Sequence, residues 1–287
     1  MVELAPVEDG LFRQSFAGDT FNTAWHARRL LPSEWDVAYL SCVGTDPVSD
    51  AMVGFMENHG IATDTIARLP DATPGLYMIQ VEHGERSFTY WRGQSAARRL
   101  ADDVETLGAS IDAADAIFFS GITLAILPPK GRKTLLSLLR RAREAGRLVA
   151  FDSNIRARLW EDASTMRAIL TDAAGAASLA LPTWPDEEEL GHDEHPHAVA
   201  RRYRQAGATE IVVKAGADPA LIVSDEGTWQ IGPEREVTPV DTTGAGDSFN
   251  AAYLAARLQG MSGPDAARAA HELAAKVIVQ PGALLPC

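Results

Sequence analysis

The sequence predicts an α/β protein with a mostly parallel sheet and a small all-β lid to one side. Two observations carry that expectation. From Val37 onward, β-rich apolar runs alternate with segments of helical period, the pattern of parallel strands joined by crossover helices. At one place three strand-like runs follow one another with no helix between them, so they fall outside the alternation.

The expected strands are Val37–Val43, Ala116–Ser120, Arg147–Asp152, Ser178–Leu181 and Glu210–Lys214, with a strand end over Glu236–Val240. The expected helices are Pro47–His59, Pro129–Ala145, Ala163–Ala174, Ala198–Ala206, Ala245–Leu258 and Pro264–Val279. In Ala245–Leu258, Phe249, Tyr253 and Ala256 recur at i, i+4 and i+7 and bury one face. The interrupting runs are Thr63–Leu69, Gly75–Val81 and Arg86–Trp91, with Gly84 in the tight His83-Gly84-Glu85 link a hairpin requires. Three such strands cannot close a core alone. With Leu11–Phe16 they are expected to form a lid, contributed by about 1–17 and 61–93 of a single domain spanning 1–287.

Composition narrows the function classes. Hydrophobic residues at 46% and charged residues at 23% suit a globular protein. No run approaches the roughly 18 apolar residues of a membrane helix, and the acidic opening MVELAPVEDG lacks a cationic leader. The expectation is a cytoplasmic protein without a membrane partner. A net charge of -13 argues against a nucleic-acid partner, and it means that any bound phosphate must be held by local donors. Arg28-Arg29, Arg140-Arg141-Arg143 and Arg201-Arg202-Arg204 read as solvated helix faces. Cys42 and Cys287 are the two cysteines; Cys42 lies in an apolar run and reads as a buried thiol. His192, His195 and His197 with Asp193 match no helix face and read as a polar loop rather than a metal site.

The chemistry concentrates in Asp241-Thr242-Thr243-Gly244-Ala245-Gly246-Asp247-Ser248-Phe249-Asn250, which opens the helix Ala245–Leu258. Gly244 and Gly246 permit a tight turn and close approach of a ligand. Free N–H groups and the helix dipole make the Gly244, Ala245 and Gly246 backbone an anion site. Asp247 brings a carboxylate to the same place, which suits a base that takes a proton from an attacking hydroxyl during phosphoryl transfer. The competing reading is that Asp247 only caps the helix. No G-x-x-x-x-G-K-S/T loop occurs. As a dinucleotide fingerprint, Gly244-Ala245-Gly246 has Phe249 where the third glycine belongs.

Asp241–Leu254 resembles the C-terminal signature of the ribokinase-like (PfkB) carbohydrate kinases, and Ala17-Gly18-Asp19-Thr20-Phe21-Asn22 resembles part of their N-terminal signature. Leu76-Tyr77, Phe88-Thr89-Tyr90-Trp91-Arg92 and Phe151–Trp160 are similar to the branch acting on 2-keto-3-deoxygluconate. The resemblance runs through nearly the whole chain. It implies a three-layer α/β/α fold, ATP and Mg2+, and a homo-oligomer. It also implies an opening strand ahead of Met1-Val2-Glu3-Leu4, so the sheet is expected to lack its first core strand, with poor stability as the consequence.

A sugar acid carries a carboxylate, and arginine offers a fork of donors that fits two oxygens. Arg92 ends a lid strand and Arg156 follows Arg147–Asp152 at the edge where α/β proteins bind ligands. Their other readings are an edge-strand cation and a surface ion pair. Tyr77 and Tyr90 are placed to bond hydroxyls and exclude water, and Gly18, Asp19 and Asn22 to hold the sugar. For the nucleotide, the resemblance implies Asn154, Lys214, Gly216 and Asp218 with Gly244 and Gly246; Lys214 also reads as a solvated strand-end lysine. Where the family carries Asn-x-x-Glu for water-mediated Mg2+, the chain has Thr183-Trp184-Pro185-Asp186. The metal ligands stay unassigned, with Asp186 the candidate through water. The implied activity is ATP-dependent phosphorylation of 2-keto-3-deoxygluconate at its 6-hydroxyl. The alternatives are a fructokinase or other neutral-sugar kinase, and a non-catalytic sugar-acid sensor.

Overall fold

Strands that are apolar on both faces need cover on both faces, and the central runs meet that demand. In β8 (Leu148–Asp152), Val149, Ala150 and Phe151 are all fully buried. A computed structural model describes residues 1–7, 10–82, 85–189 and 195–285. In it, β7 (Ala116–Ser120), β8, β9 (Leu179–Ala180) and β10 (Glu210–Ala215) run parallel. The antiparallel hairpin of β11 (Asp218–Ser224) and β12 (Gly227–Ile231) extends them into one six-stranded sheet, ordered β12-β11-β10-β9-β8-β7. On one face lie α3 (Val104–Ala113), α5 (Pro129–Glu144), α6 (Ala163–Ala176) and α8 (Pro196–Ala206), which share a core with the sheet. On the other, α9 (Ala245–Leu258) and α10 (Gly263–Val277) form a second core. The result is the expected three-layer α/β/α arrangement. Phe249, Tyr253 and Ala256 are buried along α9, as their spacing predicts.

The lid is a four-stranded sheet ordered β2-β1-β5-β6, from β1 (Val2–Pro6), β2 (Phe12–Phe16), β5 (Leu76–Glu82) and β6 (Glu85–Trp91). Its register aligns Ser15 with Glu3, Glu3 with Tyr77, and Tyr77 with Tyr90. Residues directly opposite share a face, so these four form one row across the sheet. His83 and Gly84 of the expected link lie outside the described residues.

Thr63–Leu69 departs from its expected place. Its strand, β4 (Ile66–Leu69), pairs in parallel with β3 (Ser41–Gly44) in a separate two-stranded sheet, not with the lid. The physical reason is α2 (Pro47–Asn58), which links β3 to β4 as a crossover and packs Met52 and Met56 with buried Ile66. Among the described residues no strand pairs between β3 and β7. Glu236–Val240 is irregular rather than a strand end; Val240 N–H donates to Ile278 O at 2.7 Å.

Candidate active site

Most of the long helices start under a side-chain cap. Asp46 accepts from the N–H groups of Val48 and Ser49 at the start of α2, and Asp103, Asp162 and Ser262 cap α3, α6 and α10 in the same manner. Helix α9 differs. Its N-cap is Gly244, in the left-handed region at φ 77° and with no side chain to offer. The Ala245 N–H is taken by Thr242 O at 3.2 Å, so Ala245 does not supply the free donor expected of it. The N–H groups of Gly246 and Asp247 have no protein partner among the described residues. They face a cavity of about 1220 Å³ that Gly244, Ala245, Gly246 and Asp247 line.

Asp241 braces this loop. Its Oδ1 accepts from the Thr243 N–H at 3.1 Å and the Thr243 hydroxyl at 2.7 Å, and its Oδ2 from the Gly282 N–H at 2.7 Å. Behind Gly244 the contact with residue 283 is tight enough that an added Cβ would sit 2.6 Å from the Ala283 Cβ. His26 of α1 (Asp19–Leu30) bonds Ala283 O at 2.8 Å, fastening that segment to the helix that carries Asp19 and Asn22.

Asp247 projects from the first turn of α9 into the cavity. Its Oδ2 accepts from Asn22 Nδ2 at 2.7 Å, and its backbone oxygen from the Thr23 hydroxyl at 3.3 Å. Asn22 in turn accepts from the Gly18 N–H at 3.2 Å. Desolvation by burial, reinforced by the Asp19 carboxylate, pushes the Asp247 pKa up to about 7, against the Asn22 hydrogen bond. A buried carboxyl held near neutrality in a cleft has the protonation behaviour that general-base chemistry needs.

Asp19 sits beside it. Its Oδ2 accepts from the Ser120 hydroxyl and from Asn154 Nδ2, the latter at 3.1 Å. Burial raises its pKa, with the Ser120 bond opposing. Asn154, expected at the nucleotide, therefore reaches Asp19, which was expected at the sugar, and adopts a left-handed backbone at φ 31°. Across the cavity the Tyr77 hydroxyl donates to Glu3, which also accepts from Ser15 at 2.7 Å. Burial raises the Tyr77 pKa, so the phenol stays protonated. The Tyr77 and Tyr90 rings lie 5.8 Å apart, and the Arg92 guanidinium stands 4.3 Å over Tyr90. Arg92 Nε is buried without a hydrogen-bond partner. Arg156 lines the same cavity; its Nη1 donates to Ile155 O at 2.6 Å and lies 3.5 Å from Asp186.

Thus Gly18, Asp19, Asn22, Tyr77, Tyr90, Arg92, Asn154, Arg156, Asp186, Lys214 and the Gly244–Asp247 loop line one cavity. Gly216 and Asp218 do not; they occupy the exposed β10–β11 turn. Lys214 is not a solvated strand-end lysine, being 6% exposed and bonded to Asp152 and Asn250. Sequence reasoning gave no role to Asp152, Asn250, Ser120 or Glu3. Asn250 had a readable signal, since it stands three residues after Asp247 on a helix and so shares its side. His195 caps α8, accepting from the Ala198 N–H at 3.1 Å, while His192 and Asp193 lie outside the described residues.

Comparison with known proteins gives concordant matches. The profile of the pfkB family carbohydrate kinases matches residues 3–286. A 2-dehydro-3-deoxygluconokinase of Dickeya dadantii is 39% identical over 295 residues, covering 100% of this chain and 94% of the relative. The crystal structure of a PfkB protein from Polaromonas sp. JS666 superposes with a TM-score of 0.85 at 28% identity, over 97% of this chain and 93% of that one. A fructokinase from Xylella fastidiosa, solved with bound ATP, shares the fold at a TM-score of 0.85 and 22% identity, over 99% of this chain and 91% of that one.

Proposed function

The chain belongs to the pfkB family of carbohydrate kinases, and from that premise we propose that it transfers the terminal phosphoryl group of ATP to the 6-hydroxyl of 2-keto-3-deoxygluconate (2-dehydro-3-deoxygluconate). The observation that carries the reading is a single cavity lined by the Asp247 carboxylate, the uncapped start of α9 and Arg92, whose Nε has no hydrogen-bond partner. The 2-dehydro-3-deoxygluconokinase that is 39% identical over the whole chain supports the choice of acid over neutral sugar.

In this reading Asn22 holds Asp247 by Oδ2, which leaves Oδ1 to receive the proton of the attacking hydroxyl. The new O–P bond forms at the sugar as the P–O bond to ADP breaks, and the proton passes to Asp247. The Gly246 and Asp247 N–H groups are aimed at the transferring phosphoryl, where charge is spread in the transition state. Arg92 and Arg156 orient the substrate carboxylate, Asp19 and Gly18 the hydroxyls, and Tyr77 with Tyr90 keeps water out. Because the Tyr77 hydroxyl donates its hydrogen bond to Glu3, its oxygen is left to accept from a sugar hydroxyl.

The uncapped α9 start, with two free N–H donors and a glycine backbone, fits a nucleotide phosphate. Among the described residues no three His, Cys, Asp or Glu side chains form a metal-sized cluster, and Asp186 stands beside Arg156. That donor set suits Mg2+ carried on phosphate oxygens and water, where it would neutralise charge, rather than a protein cage. No helix of the described residues is long and apolar enough to cross a membrane. A cytoplasmic, homo-oligomeric enzyme completes the proposal: Cys42 is a buried free thiol, and the lid leaves Phe12 and Trp91 exposed.

The test is ADP release with ATP and Mg2+ in three arms: the keto acid, fructose, and no acceptor. Release that depends on the keto acid, with a kcat/KM well above that for fructose, is expected. Equal or greater efficiency with fructose would move the substrate to a neutral sugar. No acceptor-dependent release would leave a binding protein.

A further inference from the structure

Beneath the cleft lies a closed ring of buried polar groups to which the reaction just described assigns nothing. Lys214 near the end of β10 donates from Nζ to Asp152 Oδ1 at 3.2 Å and to Asn250 Oδ1 at 2.9 Å. Asn250 Nδ2 closes the ring on Asp152 Oδ2 at 2.7 Å. A further bond, from the Asn154 N–H to Asp152 Oδ1 at 3.2 Å, ties the ring to the turn that carries Asn154. All three ring side chains are buried.

As a stabilising device this arrangement is a poor choice, since desolving an ion pair offsets most of its attraction and apolar replacements are often as stable. Its location is more informative. A Cβ added at Gly246 would lie 3.7 Å from Lys214 Nζ, so the ammonium stands directly behind the loop whose N–H groups face the cleft. Lys214 and Asp152 both line the cavity. Two of the three ammonium protons are committed within the ring.

We propose that Asp152 and Asn250 are positioning residues that hold the Lys214 ammonium beneath Gly246, where it adds positive charge at the seat of the transferring phosphoryl. The proposal rests on the reading of Asp247 as the base. It gives the cleft of an acidic protein a local cation that the helix start alone does not supply, fixed before substrate arrives. The Asp152 carboxylate keeps that ammonium from being an uncompensated buried charge, and the Asn250 amide satisfies both partners at once.

The same ring acts on Asp247. Burial is the largest influence raising its pKa; Asp19 and Asp152 push the same way, and Asn22 and Lys214 push it down. Tyr77 also faces Asp247 across the cavity and stays neutral. Opposite charges in the ring therefore have opposite effects on the base, which separates positioning from a merely structural role.

The experiment is the pH profile of kcat/KM for the keto acid, measured on folded protein. Asp152→Asn removes an anion and should move the acid limb to lower pH, by about one pH step. Lys214→Met removes the cation and should move it to higher pH, with kcat reduced about tenfold or more at the plateau. Limbs that coincide with the parent, or that shift in the same direction, overturn the proposal. Should Asp152→Asn fail to fold, Asn250→Asp adds a carboxyl group beside Lys214 and must raise the limb; an unmoved limb overturns the proposal equally. Asp247→Asn is the control for the underlying reading. If it retains full turnover, the base assignment fails; if it abolishes turnover while the ring variants leave the limb in place, only the ring proposal fails.

Discussion

The floor of the cleft and its lid treat charge in opposite ways. On the floor, Lys214 is bonded to Asp152 and Asn250, Asp247 to Asn22, and Asp19 to Ser120 and Asn154. On the lid, Arg92 Nε is buried with no partner, and Tyr90 and Trp91 remain exposed. The floor is assembled without substrate, as electrostatic catalysis requires. The lid holds a buried guanidinium nitrogen without a protein partner, so selection of the acid is expected to reside there.

That contrast can be broken most sharply at Asp247. Replacing it by Asn should lower kcat about a thousandfold, in the range of a lost general base, with the KM for the keto acid little changed. A comparable rise in KM with kcat intact would mean that the floor binds rather than reacts. On the lid, Arg92→Ala should lower kcat/KM for the keto acid by about a hundredfold, the cost of losing a desolvated charge partner, and leave fructose turnover nearly unaffected. Parallel losses on both substrates would erase the division of labour.

Two glycines sharpen the same contrast at smaller scale. Gly244→Ala places a Cβ 2.6 Å from Ala283 in a left-handed backbone, so denaturant unfolding should show a loss of about 2 kcal/mol, together with reduced kcat. Gly216 has a similar backbone, at φ 64°, but open space around it. Gly216→Ala should cost about 1 kcal/mol and leave kcat and the KM for ATP within about twofold, because the turn lies outside the cavity. A large loss of ATP affinity would restore Gly216 to the nucleotide site.

A further expected effect is on stability against pH. The folded-state pKa of Asp247 is raised to about 7 from 3.8. The folded protein therefore holds this proton more tightly than the unfolded chain, and the contribution, complete below pH 4, is lost as pH rises through 7. Asp247→Asn should melt a few degrees higher than the parent at pH 8, and the two should converge near pH 4. A difference that is the same at both pH values would mean that the carboxyl is not desolvated.

The α9 loop was legible because its chemistry is local. Gly244, Gly246 and Asp247 sit within one turn, and a helix start without a capping side chain presents its N–H groups wherever the helix lies. Arg92, Tyr77 and Tyr90 were singled out through a resemblance to a family lid segment, and the fold brings all three to the one cavity. Gly216 and Asp218 were read as nucleotide residues, and the fold places them at an exposed hairpin outside the cavity lining, because a small-residue turn after a strand looks the same at a hairpin and at a phosphate. Thr63–Leu69 was assigned to the lid because it had no helix after it; the helix that mattered was α2 before it. Lys214 read equally well as a ligand of the nucleotide and as a solvated cation, and neither reading included Asp152 or Asn250.

The sequence by itself determined the layered α/β class, the glycine turn at the uncapped start of α9 and the carboxylate beside it, because periodicity, glycine freedom and helix ends act over a few residues. Only the tertiary structure decided that Lys214, Asp152 and Asn250 close a ring, that Glu3 accepts a hydrogen bond from the Tyr77 hydroxyl and that Arg92 Nε has no hydrogen-bond partner. Those facts join residues 36, 62, 74 and 98 positions apart. Their geometry and desolvation exist only once strands have paired in register and the helices have covered both faces of the sheet.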